Sequence, residues 1–381
     1  MWIFKMDFPP EISVLILSLT APFVLYTMNH VSCLQDPQVI LAIGITVLTT
    51  IFLLANLSVK SKKSIDPLFY VFAVFAFTSV VAMTNALQQD GFIKGFMDFY
   101  ISKGEPYLST AHCIMMSYWD GVVHYGLLLI MVHRIAAGKP FRGLALAWTG
   151  SMIANQIVFI PGIIVGKYGK NIQPAFWRNA PFLFLPIWAA TKLFNRPREL
   201  SIIPADKMEA QQRKGLLSRP IDLLLILSLS ATMIFTVFRG FVVLECSLDS
   251  CFNYIYQYEP YMKDNVGFPK VMMLVFLFYG LPLLTACVYG LYMPGCTWML
   301  DWTLFLAGAI AQMQWTHIGA SLHSRTPFTY RIPKDEWRLV ITLNVMYALV
   351  PVLLAVRCYT DHAFFMKNIP PEQTSNGKKK Q

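Results

Sequence analysis

Asp120 and His124 lie four residues apart in an otherwise apolar stretch, so on a helix they share one face. A carboxylate beside an imidazole can orient it, exchange a proton with a substrate, or hold a ligand amine. The structural alternative is that the two bond each other and a neighbouring helix. Tyr118 and Trp119 adjoin the pair, as in an aromatic-lined pocket or in ordinary packing. If the chain is an enzyme, Asp120 and His124 would serve as acid and base. A second polar set comprises Asn155 and Gln156 together with Gln312, Gln314 and His317. Interhelical hydrogen bonds account for such groups at about 1 kcal/mol each or less. No metal-ligand spacing, phosphate-binding loop, nucleophile elbow or dinucleotide fingerprint occurs, so no metal and no cofactor is expected.

The elements that must position these side chains follow from hydropathy. The chain has 381 residues, 56% hydrophobic and 14% charged. A soluble domain carries nearer a quarter charged residues, so a soluble class is excluded. The apolar residues fall in blocks near the length that crosses hydrocarbon as a helix, where each segment must satisfy its own backbone. The predicted fold is an all-α polytopic membrane protein with about ten transmembrane helices, at roughly 11–31, 38–58, 67–88, 111–134, 143–165, 178–194, 220–242, 269–292, 298–321 and 337–358. The first block is too long for the core of a cleavable signal peptide. The one long polar connection, 195–220, reads as a solvated linker, with a short helix on the membrane surface over DKMEAQQRKG as the alternative.

The net charge of +10 resides in the connections, which points to anionic lipid rather than to nucleic acid. Lys60, Lys62, Lys63, Arg134, Lys139, Arg142, Arg196, Arg198, Lys207, Arg213, Lys214 and Arg219 follow even-numbered spans, which places both termini in the cytosol. Arg325, Arg331, Lys334 and Arg338 run against this rule. Cys246 and Cys251 sit in a predicted luminal loop, where a disulfide is expected. Arg239 and Glu245 near that loop read as an interfacial salt bridge or a snorkelling pair. The chain ends with Lys378 and Lys379 at the fourth and third positions from the end, matching a dilysine retrieval signal of the endoplasmic reticulum.

Two signatures recur in the same order. Glu105-Pro106-Tyr107 returns as Glu259-Pro260-Tyr261, and Asn179, Phe182, Pro186 as Asn344, Tyr347, Pro351. Each copy opens with Phe-Thr, at Phe77-Thr78 and Phe235-Thr236. Four spans per unit make the duplication parallel. The expected organisation is two N-terminal helices (1–60), a first four-helix repeat (61–195), a cytosolic linker (196–218), a second four-helix repeat (219–358) and a cytosolic tail (359–381).

The stretches DPLFYVFAVFAFTSVV, GEPYLSTAH, YWDGVVHY, VVLECSLDSCFNYIYQYEPY, PGCTWMLDW, HIGAS and RTPFTYRIP resemble the transmembrane 6 superfamily across nearly the whole chain, nearer its member 2 branch than its member 1 branch. The duplicated unit resembles the EXPERA domain shared with the emopamil-binding protein, a sterol isomerase, and the sigma-two receptor. The resemblance implies a regulator of lipid metabolism in the endoplasmic reticulum and the reticulum–Golgi intermediate compartment. Such a protein promotes lipidation and secretion of triglyceride-rich lipoproteins and limits lipid-droplet content. It implies membrane lipid or a sterol as ligand and lipoprotein-assembly proteins as partners, with no nucleic acid; the oligomeric state stays open. Aligned with the isomerase pattern, Ser79 and Met83 occupy two acid–base positions and Asp120 falls at or beside the third. The repeat-two equivalents include Val237 and Phe241, so most of the catalytic acids are missing. The expected ligand site comprises Ser79, Met83, Tyr118, Asp120, His124, Asn179 and Phe182, with Asn344 and Tyr347 at the equivalent place in repeat two. The alternatives are an isomerase acting on Δ8 sterols and a membrane scaffold that binds no ligand.

Overall fold

The computed structural model describes residues 9–31, 34, 36–59, 65–198, 200 and 203–367. Lys60, Lys62, Lys63, Lys378 and Lys379, and with them the retrieval signal, lie outside the described residues. Every regular element among the described residues is helical.

The first predicted span is two helices, α1 (Pro10–Ser18) and α2 (Ala21–His30), and the second is α3 (Pro37–Ser58). Repeat one contains α4 (Leu68–Gln89), α5 (Ala111–Trp119) continued by α6 (Tyr125–Ala136), α7 (Arg142–Val165) and α8 (Asn179–Phe194). The 195–220 connection holds α9 (Ala205–Gln212). Repeat two contains α10 (Pro220–Val243), α11 (Asp249–Gln257), α12 (Phe268–Val275) continued by α13 (Leu281–Tyr292), α14 (Met299–Leu322) and α15 (Trp337–Thr360).

Eight segments among the described residues are long and apolar enough to cross a bilayer, so the chain is a multi-pass membrane protein. Two further helices complete the repeats. The 16-residue α8 is short, and α14 carries Asp301, three buried amide or imidazole side chains and few aliphatics. Both pack laterally against α7, where protein shields their polar groups from lipid.

The repeats correspond in detail. Their third helices, α7 and α14, are each 24 residues long and pack against each other. α5 reaches across to α14, and α12 reaches across to α7, the reciprocal pairing of a parallel duplication. Small residues allow the crossing: a Cβ on Gly150 would meet the Phe305 carbonyl at 2.0 Å, and one on Gly308 the Ala147 carbonyl at 2.0 Å. The second helix of each repeat is interrupted at mid-length by one π-helical turn, at Asp120–His124 and Phe276–Gly280. Such turns commonly mark functional positions.

The Glu105 and Glu259 segments share one end of the bundle. Lys167 N donates to the Asn265 carbonyl at 3.0 Å, and His323 lies 2.9 Å from Asp90. Arg325 and Arg331, which defy the charge rule, donate to the carbonyls of Gln89 and Thr326 at 2.8 and 2.7 Å. Arg325 thereby ties the two repeats at this end, while Arg331 braces its own loop. At the opposite end, Asp66 pairs with Arg196 (2.5 Å) and Asp222 with Arg357 (2.8 Å), so each repeat joins the start of its first helix to the end of its fourth.

Two expectations are corrected here. The 195–220 connection takes the short-helix alternative over the plain linker: α9 is solvated, and its Gln212 donates to the Met366 carbonyl at 2.6 Å, docking the helix on the segment after α15. The α7 and α14 amides make no hydrogen bonds with each other among the described residues. Backbone proximity at Gly150 and Gly308, rather than amide pairing, joins those helices.

Candidate ligand cavity and its filled counterpart

The signatures that recur in sequence meet in space. Glu105 is 1% exposed and accepts from the hydroxyls of Tyr100 and Tyr107, from Arg178 Nη2 at 2.6 Å and from Asn179 Nδ2 at 3.1 Å. Glu259 is equally buried and accepts from Arg239, from Tyr254 Oη at 2.8 Å and from Asn344 Nδ2 at 2.7 Å, with His317 Nε2 3.4 Å away. A buried carboxylate is tolerated only when paired and hydrogen-bonded, and each repeat supplies a cation, an amide and a tyrosine. Burial acts to raise the Glu259 carboxyl, but the Arg239 guanidinium and the bonds from His317 and Asn344 outweigh it and hold the group below the usual carboxylate range. The legible signal for Tyr100 and Tyr254 was a longer repeat than the one read: Tyr-Ile-x-x-x-Glu-Pro-Tyr occupies both 100–107 and 254–261.

The source of the cation distinguishes the repeats. In repeat one it is Arg178, immediately before α8, whose side chain lies across α3 at Gly44; a Cβ there would sit 3.3 Å from Arg178 Cδ. In repeat two it is Arg239, from inside α10. Arg239 is not a snorkelling residue: it is 1% exposed and stacks over Phe235 at 4.4 Å. Counted from the Phe-Thr pairs, Arg239 takes the position of Val81. Tyr347 takes the position of Phe182 and bonds Thr236 Oγ1 at 2.6 Å. These larger, bonded side chains occupy the place beside the first helix that repeat one leaves open; repeat two keeps a separate space of about 120 Å³, bordered by Tyr254, Tyr258 and Asn344.

In repeat one Val81, Thr78 and Phe182 instead border a cavity of about 150 Å³. On α4 its lining runs from Phe75 to Asn85, about 15 Å of helix. α2 and α3 form the front wall through residues such as Leu25, Met28, Ile40 and Val47. The two added N-terminal spans therefore close a space that the four-helix unit leaves open. The lining is mostly apolar with a few convergent polar groups, the composition of a small-molecule site.

Of the predicted site residues, Ser79, Asp120, His124, Asn179 and Phe182 line this cavity. Met83 and Tyr118 do not. Met83 packs against Gly121, and Tyr118 donates to Asp90 Oδ2 at 2.7 Å, towards the end of the bundle. Asn344 and Tyr347 are committed to bonds inside repeat two. Gln156, read from sequence as interhelical glue, lines the cavity, and its Oε1 has no partner among the described residues. Cys246 and Cys251 form a disulfide at the start of α11.

His124 Nδ1 lies 2.7 Å from Asp120 Oδ1, and its Nε2 lies 2.7 Å from Ser151 Oγ. Trp119 Nε1 donates to both His124 Nε2 and Ser151 Oγ at 3.1 Å. An acid, an imidazole and a hydroxyl in line resemble the relay of acyl-transfer enzymes. Ser151, however, is 2% exposed and lies within the uninterrupted α7 helix. Backbone N–H groups inside a helix are already bonded, so α7 offers Ser151 no backbone oxyanion donor, and the nearby Trp119 N–H is spent on Ser151 Oγ and His124. The chain of bonds fixes the Asp120 carboxylate, which keeps 17% exposure, at the cavity wall.

Comparison with known proteins gives two family matches. Residues 20–204 match the transmembrane domain of transmembrane 6 superfamily member 2-like proteins, and residues 251–358 match the EXPERA (expanded EBP superfamily) domain. Transmembrane 6 superfamily member 2 of Homo sapiens is 47% identical over 375 residues, covering 98% of this chain and 100% of that protein. The proteins of the same name from Rattus norvegicus and Mus musculus are 46% and 45% identical over 377 residues, covering 99% of this chain and all of each relative. No solved structure matches.

Proposed function

The chain belongs to the transmembrane 6 superfamily member 2 family, and on that premise we propose that it is a non-catalytic lipid-handling protein of the endoplasmic reticulum membrane and the reticulum–Golgi intermediate compartment. It binds a sterol or another lipid within the membrane and regulates lipid metabolism there. It thereby promotes lipidation and secretion of triglyceride-rich lipoproteins and limits lipid-droplet content, acting with lipoprotein-assembly proteins. The observation that carries this reading is the elongated, apolar-lined cavity of repeat one, walled by α2 and α3 and carrying Asp120 at its side.

The absence of turnover in this reading rests on proton bookkeeping. Double-bond isomerisation requires one group to deliver a proton and another, differently placed, to remove one. Asp120 and His124 face each other at 2.7 Å and act as one unit, while Ser79 and Met83 supply neither role. Hydrogen-bonding a ligand hydroxyl needs only the exposed edge of Asp120 and the unpaired Oε1 of Gln156.

The test uses the full-length protein purified in mild detergent and a photoactivatable sterol. Cross-links on α3, α4 and α8 are expected, reduced by Asp120→Asn, with no Δ7 product from a Δ8 sterol. Product formation that Asp120→Asn abolishes would establish the isomerase reading instead. Absence of any cross-link, and of co-purified lipid by mass spectrometry, would leave a scaffold.

A further inference from the structure

A second cavity, of about 330 Å³, lies between the repeats at the end opposite the two glutamate clusters. Three guanidinium groups border it: Arg134 at the end of α6, Arg142 at the start of α7 and Arg198 after α8. One carboxylate, Asp301 of α14, stands among them. Asp301 pairs with Arg142 through Oδ1 and with Arg198 Nη2 through Oδ2 at 2.6 Å. Among the described residues the Arg134 side chain donates to the Pro140 carbonyl and meets no carboxylate. Three cations against one anion leave two positive charges unmatched. Phe141, which precedes α7, provides no side-chain cap, so the positive end of that 24-residue helix adds to the field.

The remainder of the lining is mostly apolar, with Leu144, Leu200, Leu300 and Leu304 beside Phe141 and Tyr359. Salt-bridge geometry alone explains Arg142 and Arg198. It does not explain why Arg134 stands beside them over a space of this size, or why four leucines share the lining. A soluble phosphate would satisfy the arginines and leave the leucines facing water. A lipid with a phosphate headgroup satisfies both, because guanidinium forks match phosphate oxygens and the acyl chain covers the leucines. Basic pockets between helices at the cytoplasmic interface are suited to such headgroups.

We propose that this inter-repeat cavity binds the phosphate of an anionic glycerophospholipid through Arg134, Arg142 and Arg198, with an acyl chain against Leu144 and Leu304. The site is separate from the cavity of repeat one and needs no occupant there. It gives the two repeats a shared lipid ligand at their junction.

Native mass spectrometry of the full-length protein in neutral detergent tests this, with phosphatidic acid and phosphatidylcholine as probes. Phosphatidic acid should be retained at least about tenfold better, and Arg134→Gln should lose about tenfold of that retention, since one charge-assisted contact is removed. Arg134→Lys should recover most of it. Excess glycerol 3-phosphate should fail to displace the lipid. Equal retention of the two lipids, an unaffected Arg134→Gln variant, or equal loss in both variants would overturn the proposal. Displacement by glycerol 3-phosphate would overturn it in favour of a soluble phosphate ligand. The wild-type preference provides an arm that needs no variant: it should shrink between about 0.1 and 1 M salt, and a salt-insensitive preference would also count against the site.

Discussion

The side-chain amide of Asn344 donates to the Glu259 carboxylate at 2.7 Å, joining residues 85 apart in the chain. Asn179 and Glu105 make the same bond in repeat one at 3.1 Å, across 74 residues. The connection before the second helix of each repeat is thereby held to its fourth helix. The two patterns that revealed the duplication in sequence are the two ends of this bond.

Breaking the repeat-two cluster from one side leaves a buried charge without its partner. Glu259→Gln should therefore cost about 3–5 kcal/mol of stability. Adding Arg239→Met should recover a large part of it, because neither charge then remains. Thermal and denaturant unfolding in detergent, arranged as a double-mutant cycle, measures this; a double variant no more stable than Glu259→Gln would contradict the assignment.

The same cluster sets a pH response. The Glu259 carboxyl is held below its ordinary value of 4.5 in the folded protein. A carboxyl lowered by folding stabilises the fold at every pH above its unfolded value, and that contribution disappears as pH falls through the folded value. Between pH 7 and 5 this group should add no slope to the stability curve. Below the ordinary carboxylate range, wild type should lose stability and Glu259→Gln should lose less. Thermal midpoints across that range test the sign.

Filling the repeat-one cavity should separate ligand binding from folding. Val81→Trp places an apolar ring where repeat two carries the Arg239 side chain. Overpacking a full core costs about 1–3 kcal/mol, and entry into an existing void should cost less. The expected result is loss of sterol cross-linking with a thermal midpoint close to wild type. Undiminished cross-linking would show that the probe binds elsewhere.

The α7–α14 crossing should tolerate no added methyl groups. At Gly150 a new Cβ meets backbone, the Phe305 carbonyl at 2.0 Å, which cannot rotate aside. Gly150→Val should cost about 1–3 kcal/mol or more and reduce the yield of folded, monodisperse protein on size exclusion. At Gly126, where nothing lies within 4 Å of a new Cβ, Gly→Val should leave that yield unchanged.

Ten helical segments, their edges to within two residues apart from the break in the first, and the parallel duplication could all be read before any coordinates. Lipid solvent makes that possible: the free energy of placing a segment in hydrocarbon depends mainly on its own residues, so the signal is local and additive. Asp120 and His124 were legible for a related reason, since polar groups in apolar helices are few and four-residue spacing puts them on one face. Spacing did not reveal that Met83 would turn to Gly121, or that Tyr118 would reach Asp90.

Where each repeat keeps its open space was decided only by the tertiary structure: beside Val81 and Asp120 in repeat one, beside Tyr258 and Asn344 in repeat two. Both repeats carry the same signatures, and both need a cation beside a buried glutamate. Arg178 reaches Glu105 from the turn before α8, at the wall of the cavity, and leaves the space beside Val81 open, whereas Arg239 reaches Glu259 from inside α10 and occupies the equivalent space. An arginine's position in the chain says nothing of the side from which its long side chain approaches a partner. That approach depends on the distance between helix axes and on what fills the gap, quantities that arise only when separate segments pack at close to crystal density.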